Sequence, residues 1–400
     1  MKDTIYRQHS RTAILYFAIA ALLGILLRSY PIFPLRFNYR YMVHAHSHIA
    51  LLGWVYVAIT TLLHYCFVNK TTSKKSYKNI FWGTQVTLVG MLLTFPFQGY
   101  GLFSIIFSTL FLMASYVYTY HFWKNLDPKL KGSNGLKCVK LALIYMVISS
   151  LGPWALGIIM NTLGTQSIGY RLAIYFYLHF QYNGWMILAL IGLFIYALES
   201  RGALFPKKSF DRFFLFINLG IVLTFFLSTL WTEPPVAIYI ISGVGAASQL
   251  YALIYLWTLI KRNITMLSLL PIQRILLKII IVLGLIKLML QLLTVLPYFT
   301  QMATMYLDLT IGYLHLTFLG VISLGLFFFM GYFGLLRVSK TSILWYISGF
   351  LISEFLIFYK GYIAWQEIAP FYGYTEILAL SYVLIPVGLI IVLIQNRSLI

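Results

Sequence analysis

Apolar residues along this chain come in long unbroken runs rather than in the one-sided stripe of a soluble helix. Short polar segments, most of them basic, separate the runs. A run of about 20 apolar residues suffices to cross a bilayer as a helix. Runs of that order fall near residues 12–28, 43–67, 79–97, 100–122, 137–160, 171–198, 211–231, 236–260, 272–297, 304–335, 340–359 and 374–395. The pattern therefore predicts an all-α integral membrane protein with twelve transmembrane helices. No intervening segment is long enough to hold a second domain, so residues 1–400 read as a single polytopic unit.

Composition agrees. Of 400 residues, 61% are apolar and 10% charged, whereas about a quarter of a soluble domain is charged. A net charge of +20 would suggest a nucleic-acid partner in a soluble protein. Here the Lys and Arg lie in clusters between apolar runs, which points to membrane orientation and lipid contact, with no nucleic-acid partner. With the N-terminus inside, 21 Lys and Arg fall on the cytoplasmic side, five outside (Arg28, Arg36, Arg40, Arg171, Lys360) and three within spans. That bias predicts both termini in the cytoplasm. The run at 12–28 follows a basic segment, as in a signal peptide, but lacks a clear cleavage site and is expected to remain as the first helix. The absence of an organellar transit signal favours a bacterial inner membrane. Cys66 and Cys138 have no CxxC or CxxCH spacing, which argues against a disulfide framework or covalent haem attachment.

Histidine carries the candidate chemistry. Helix 2 contains HIALLGWV from His48, helix 6 HFQYNGWM from His179 and helix 10 HLTFLGVI from His315. Each is a histidine, four residues, then glycine, and the interval is four helices both times. The three lie roughly 8–17 Å from the outer end of their spans at 1.5 Å per residue. An ionisable side chain inside a membrane is a functional-site hypothesis by default. Scattered histidines satisfied by backbone carbonyls are the plainer explanation for each taken singly; the recurrence argues for a shared metal or haem site. Glycine near an imidazole leaves room for a planar ligand or for close helix packing. The same interval marks repeats of four helices, approximately 1–122, 137–260 and 272–400. His44 and His46 extend the helix 2 cluster, while His64 and His121 lie toward cytoplasmic ends and His9 in the N-terminal tail.

Twelve helices with histidines on helices 2, 6 and 10 resemble the catalytic subunit I of haem–copper oxidases and nitric oxide reductases. The HxH of His46 and His48 followed by LLGW also resembles the NnrS-type haem–copper membrane proteins associated with nitric oxide stress. The resemblance implies a low-spin haem b held by His46 or His48 together with His315, with copper or non-haem iron at His179. His44 and Tyr313 are further ligand candidates, and Arg36, Arg40 and Arg171 are candidate partners of haem propionates. It also implies pseudo-symmetry among the three four-helix units, and a respiratory subunit or other electron donor as partner. The sequence departs from the pattern in three places. Helix 7 has no histidine; helix 10 has Tyr313 where HxH would place its first histidine; and Asn183 occupies the position four residues after His179 where many oxidases have tyrosine. A complete three-histidine copper site is thus not expected.

Other intramembrane charges are few. Lys287 and Glu354 are the two deep ones, either as a pair or along a proton path; Lys278 and Asp308 lie toward the boundaries. Two alternatives stand beside the haem reading: a cofactor-free secondary transporter, which twelve helices and internal repeats also suit, and a non-catalytic assembly partner of a respiratory complex.

Overall fold

The computed structural model describes residues 4–33 and 35–397; Lys2, one of the basic residues counted above, lies outside them. Among the described residues, twelve helices are long and apolar enough to cross a membrane. They are α1 Thr4–Ser29, α2 Tyr39–Phe67, α3 Ser73–Gln98, α4 Leu102–Lys124, α5 Asn134–Thr162, α6 Ile168–Glu199, α7 Lys207–Thr232, α8 Val236–Ile260, α9 Pro271–Leu293, α10 Leu307–Tyr332, α11 Lys340–Trp365 and α12 Tyr374–Gln395. The protein is a polytopic, all-helical membrane protein.

The apolar runs fix the number of spans, and local chemistry fixes the ends. α1 begins at Thr4, eight residues before its apolar run, because Tyr6 and His9 of its first turns are buried against other helices. Between α9 and α10 the chain forms a short helix, Pro297–Met305, instead of extending both spans toward each other. Pro297 sits in its first turn, where a residue without an N–H costs no intrahelical bond. α5 is interrupted at Ser150, between helical stretches Asn134–Ser149 and Leu151–Thr162. Pro153 supplies no donor to the carbonyl four residues earlier, which accounts for the break.

Three helices differ from the rest in one shared way. In α2 an α-helical stretch ends at His48 and gives way to a π-helix, Ile49–Tyr56. In α6 the α-helix ends at His179 and the π-helix covers Phe180–Ile187; in α10 it ends at His315 and the π-helix covers Leu316–Ser323. Each π stretch has eight residues and is followed by α-helix again. At each junction the residue after the histidine shares its N–H between two carbonyls: Ile49 with Ala45 and His46, Phe180 with Phe176 and Tyr177, Leu316 with Gly312 and Tyr313. A π turn bonds residues five apart, which is the offset of Gly53, Gly184 and Gly320 from their histidines. The sequence motif and the π turn therefore share one period. These are also the most enclosed spans, with 83%, 83% and 72% of their apolar windows buried against 28–50% elsewhere.

The chain divides into two compact units, residues 1–128 with 323–400, and residues 129–322. In the first, α1 packs against α2 and α12, α3 against α4, and α11 against α12. Phe17 of α1 stacks on Trp54 of α2 with centroids 4.8 Å apart, and the Trp54 indole N–H donates to Ser323 Oγ at 2.9 Å. Arg28, near the end of α1, lies 5.4 Å over the ring of Tyr382 in the first half of α12. The two helices thus run antiparallel, and Thr4 and Gln395 share an end of this unit. In the second unit α5 packs against α6 and α7 against α8. The α1–α2 and α5–α6 pairs are built alike. A Cβ on Gly53 would meet Tyr16 Cγ at 2.8 Å, and one on Gly184 would meet the Tyr145 side chain at 2.8 Å. In both pairs glycine lets a tyrosine of the preceding span approach the π-helix closely, so at these positions glycine serves close packing.

Candidate functional site: histidines at the α-to-π junctions

Successive helical residues are 100° apart, so His46 and His48 leave α2 on nearly opposite faces. His46 turns toward α1. Its Nδ1–H donates to the carbonyl of Ala20 at 2.8 Å, and a Cβ at Gly24 would come within 3.2 Å of its Cε1, so glycine there admits the ring. His48 turns toward α3: its ring stacks on Phe95, 4.3 Å between centroids, and its Nδ1–H donates to the His44 carbonyl at 2.8 Å. It is thus the backbone of His44, not its imidazole, that orients His48. The His44 ring packs against Tyr100 at 4.6 Å.

The tautomer that follows is the one a metal requires. A ring whose Nδ1–H is given to a carbonyl keeps its lone pair on Nε2, and such an outer hydrogen bond both orients a ligating histidine and raises its basicity. Neither His46 nor His48 has a hydrogen-bond partner for Nε2 among the described residues. Both residues keep intermediate accessibility.

His179 is held differently. It is almost fully buried, its Nε2–H donates to the Ile221 carbonyl at 2.8 Å, and its Nδ1 accepts from the Asn183 amide at 3.3 Å. Ile221 lies just before the point, Thr224, at which α7 tightens to a 3₁₀-helix. Both ring nitrogens of His179 therefore have protein partners in this arrangement. Asn183, noted in the sequence only as the place of a missing tyrosine, is the hub of this cluster. Its Oδ1 accepts from the Lys287 ammonium at 2.6 Å, and Lys287 also donates to Gln291 Oε1 at 2.5 Å. Two amide oxygens, not a carboxylate, thus hold the deep lysine. The rings of Tyr182 and Tyr313 lie 5.7 and 6.0 Å from its ammonium, which places Tyr313 beside Lys287. His315 is the half-buried last residue of the α stretch of α10.

Arg36, Arg40 and Arg171 are all exposed, and Arg171 lies 5.2 Å over the Trp231 ring. Arg28, which the sequence placed among the five outer cations, lies 5.4 Å over the Tyr382 ring. Among the described residues no three His, Cys, Asp or Glu side chains converge as a metal-binding group. The site's clearest assets are two imidazoles of fixed tautomer on opposite faces of α2. The chain matches no family model, and no curated protein is significantly similar to it.

Proposed function

We propose that the protein is a haem-binding membrane protein of the haem–copper-oxidase type that transfers electrons or binds a diatomic gas such as nitric oxide or oxygen. The observation that carries this reading is the threefold recurrence of a histidine at an α-to-π junction, on the three most enclosed spans, with glycine one π turn later. The fit of α2 to a haem ligand supports it. His46 and His48 each present Nε2 from a ring whose other nitrogen is bound to a backbone carbonyl. Those carbonyls hold the neutral imidazole in the tautomer that iron binds. The resemblance implies that His315 would be the second histidine to hold the haem.

Haem b, when bound, would supply a one-electron iron centre and, where one of the two histidines does not bind the iron, a position for a diatomic ligand. The chain's own part is to fix the imidazoles and offer guanidinium partners to the propionates from Arg36, Arg40 and Arg171. The commitment of both His179 nitrogens and the lack of histidine on α7 weigh toward electron transfer or gas binding over oxygen reduction at a three-histidine copper site. The same reading includes three pseudo-symmetric four-helix units, both termini in the cytoplasm, a bacterial inner membrane and a respiratory electron donor.

The test is an oxidised and dithionite-reduced optical spectrum of detergent-purified protein expressed with ample haem, beside His46→Ala, His48→Ala and His315→Ala. A sharp reduced α band is expected, lost in His315→Ala and in one of the two α2 variants. A well-folded wild-type protein without colour overturns the reading.

A further inference from the structure

A basic cleft opens at the end of the second unit where α6 stops and α7 begins. It is an open cavity of about 480 Å³ lined by Lys207, Lys208, Asp211, Arg212 and Leu215. Three cations thus face one carboxylate, and Asp211 is already paired with Lys137 of α5, 3.6 Å from Oδ1 to Nζ. Glu199, the last residue of α6, is committed as well: it accepts from Ser133 Oγ and from the N–H groups of Asn134 and Gly135 at the start of α5. Among the described residues neither Lys207 nor Lys208 has a charged or hydrogen-bonding side-chain partner. Arg212 has an aromatic one. Its Nη1–H donates to Tyr255 OH at 3.5 Å and its guanidinium lies 5.8 Å from the centre of that ring, which is stacked at 4° on Phe216. One of five guanidinium N–H groups is used in this way, and the others remain for a bidentate oxyanion. α7 also starts with no side-chain cap and no acidic residue in its first turn, so the positive end of the helix adds to these charges.

What lies beyond the cleft says which oxyanion fits. Lys208, Arg212, Leu215, Leu219 and Val222 are all exposed, and steps of four, three, four and three residues put them on one face of α7. That face is basic at the start of the helix and apolar after it. From Arg212 to Val222 it runs about 15 Å at 1.5 Å per residue, half of the roughly 30 Å hydrocarbon core of a bilayer. α7 is also among the least enclosed spans, with 28% of its apolar window buried. A phosphate that carries an acyl chain one leaflet long matches both parts of the face. A soluble phosphate matches only the first.

We propose that this cleft binds the headgroup of an anionic phospholipid, with Lys207, Lys208 and Arg212 on its phosphate and Leu215, Leu219 and Val222 along an acyl chain. Three cations against one carboxylate favour a headgroup of net negative charge, such as that of phosphatidylglycerol, over a zwitterionic one. The site shares no residue with the haem reading, so either can fail alone.

The test uses the full-length protein in detergent, incubated with equal amounts of phosphatidylglycerol and phosphatidylcholine and washed, with the retained lipids counted by native mass spectrometry. The wild type should retain phosphatidylglycerol in preference. That preference should fall about fivefold in each of Lys207→Gln, Lys208→Gln and Arg212→Gln, and on the order of a hundredfold when the three are combined. A control carrying Lys74→Gln, Lys75→Gln and Lys78→Gln removes the same charge from the start of α3 and should keep the preference, as should the wild type in excess sodium phosphate. All six positions are exposed, and unchanged elution from a sizing column checks that each variant folds. A wild type without preference, a triple cleft variant that retains lipid as the wild type does, or an equal loss in the α3 control overturns the proposal. Displacement by sodium phosphate overturns it too, because the cleft would then take phosphate without the chain.

Discussion

At the scale of single residues, the buried charge of Lys287 is the most demanding group in the second unit, since an ammonium away from water must have its hydrogen bonds met. Asn183 meets one of them while also bonding His179, and Gln291 meets another. Removing the acceptor costs more than removing the charge, because Asn183→Leu strips both the ammonium and His179 of a partner. Asn183→Leu should lose about 3 kcal/mol, as when one member of a buried polar pair is deleted. Lys287→Met leaves two amide oxygens unpaired and should lose about 1–2 kcal/mol. The double variant should be more stable than Asn183→Leu alone, because the stranded charge is gone. Thermal unfolding in detergent reads all three, and a double variant less stable than Asn183→Leu would contradict this account.

At the scale of elements, the π-helices set which faces meet. Because the glycine lies one π turn from the histidine, it reaches the preceding span at the level where Tyr16 or Tyr145 lies across it. Gly53→Ala and Gly184→Ala each place a methyl about 2.8 Å from a tyrosine ring atom. Overpacking of that kind costs about 1–3 kcal/mol, and the unfolding midpoint should fall in both. Gly83→Ala, in α3, meets nothing within 4 Å and replaces a poor helix former by the best one. It should leave the midpoint unchanged or raise it, which separates a packing effect from a general intolerance of alanine.

At the scale of the whole molecule, the distribution of Lys and Arg leads to a prediction about sidedness. A reporter that fluoresces only when it folds in the cytoplasm should be bright at either terminus, and a periplasm-dependent phosphatase fused there should be inactive. The opposite pattern would invert the orientation argued from the 21 and five basic residues on the two sides. The antiparallel packing of α1 and α12 in the first unit requires only that the described ends share a side.

The sequence by itself determined the number of spans, the all-helical membrane class and the histidines that recur every fourth helix. These are local properties: a length of apolar chain must form a helix in lipid to satisfy its own backbone, and a spacing of five residues can be read without knowing what faces it. Tertiary structure decided the rest. That glycine packs on tyrosine, that His179 spends both nitrogens on protein while His46 and His48 keep Nε2, and that Asn183 holds Lys287 all depend on which helix faces meet. His64 and His121, whose Nε2 atoms lie 3.4 Å apart, carried no signal as a pair, because residues on separate spans become neighbours only when side-chain packing fixes the rotation of each helix.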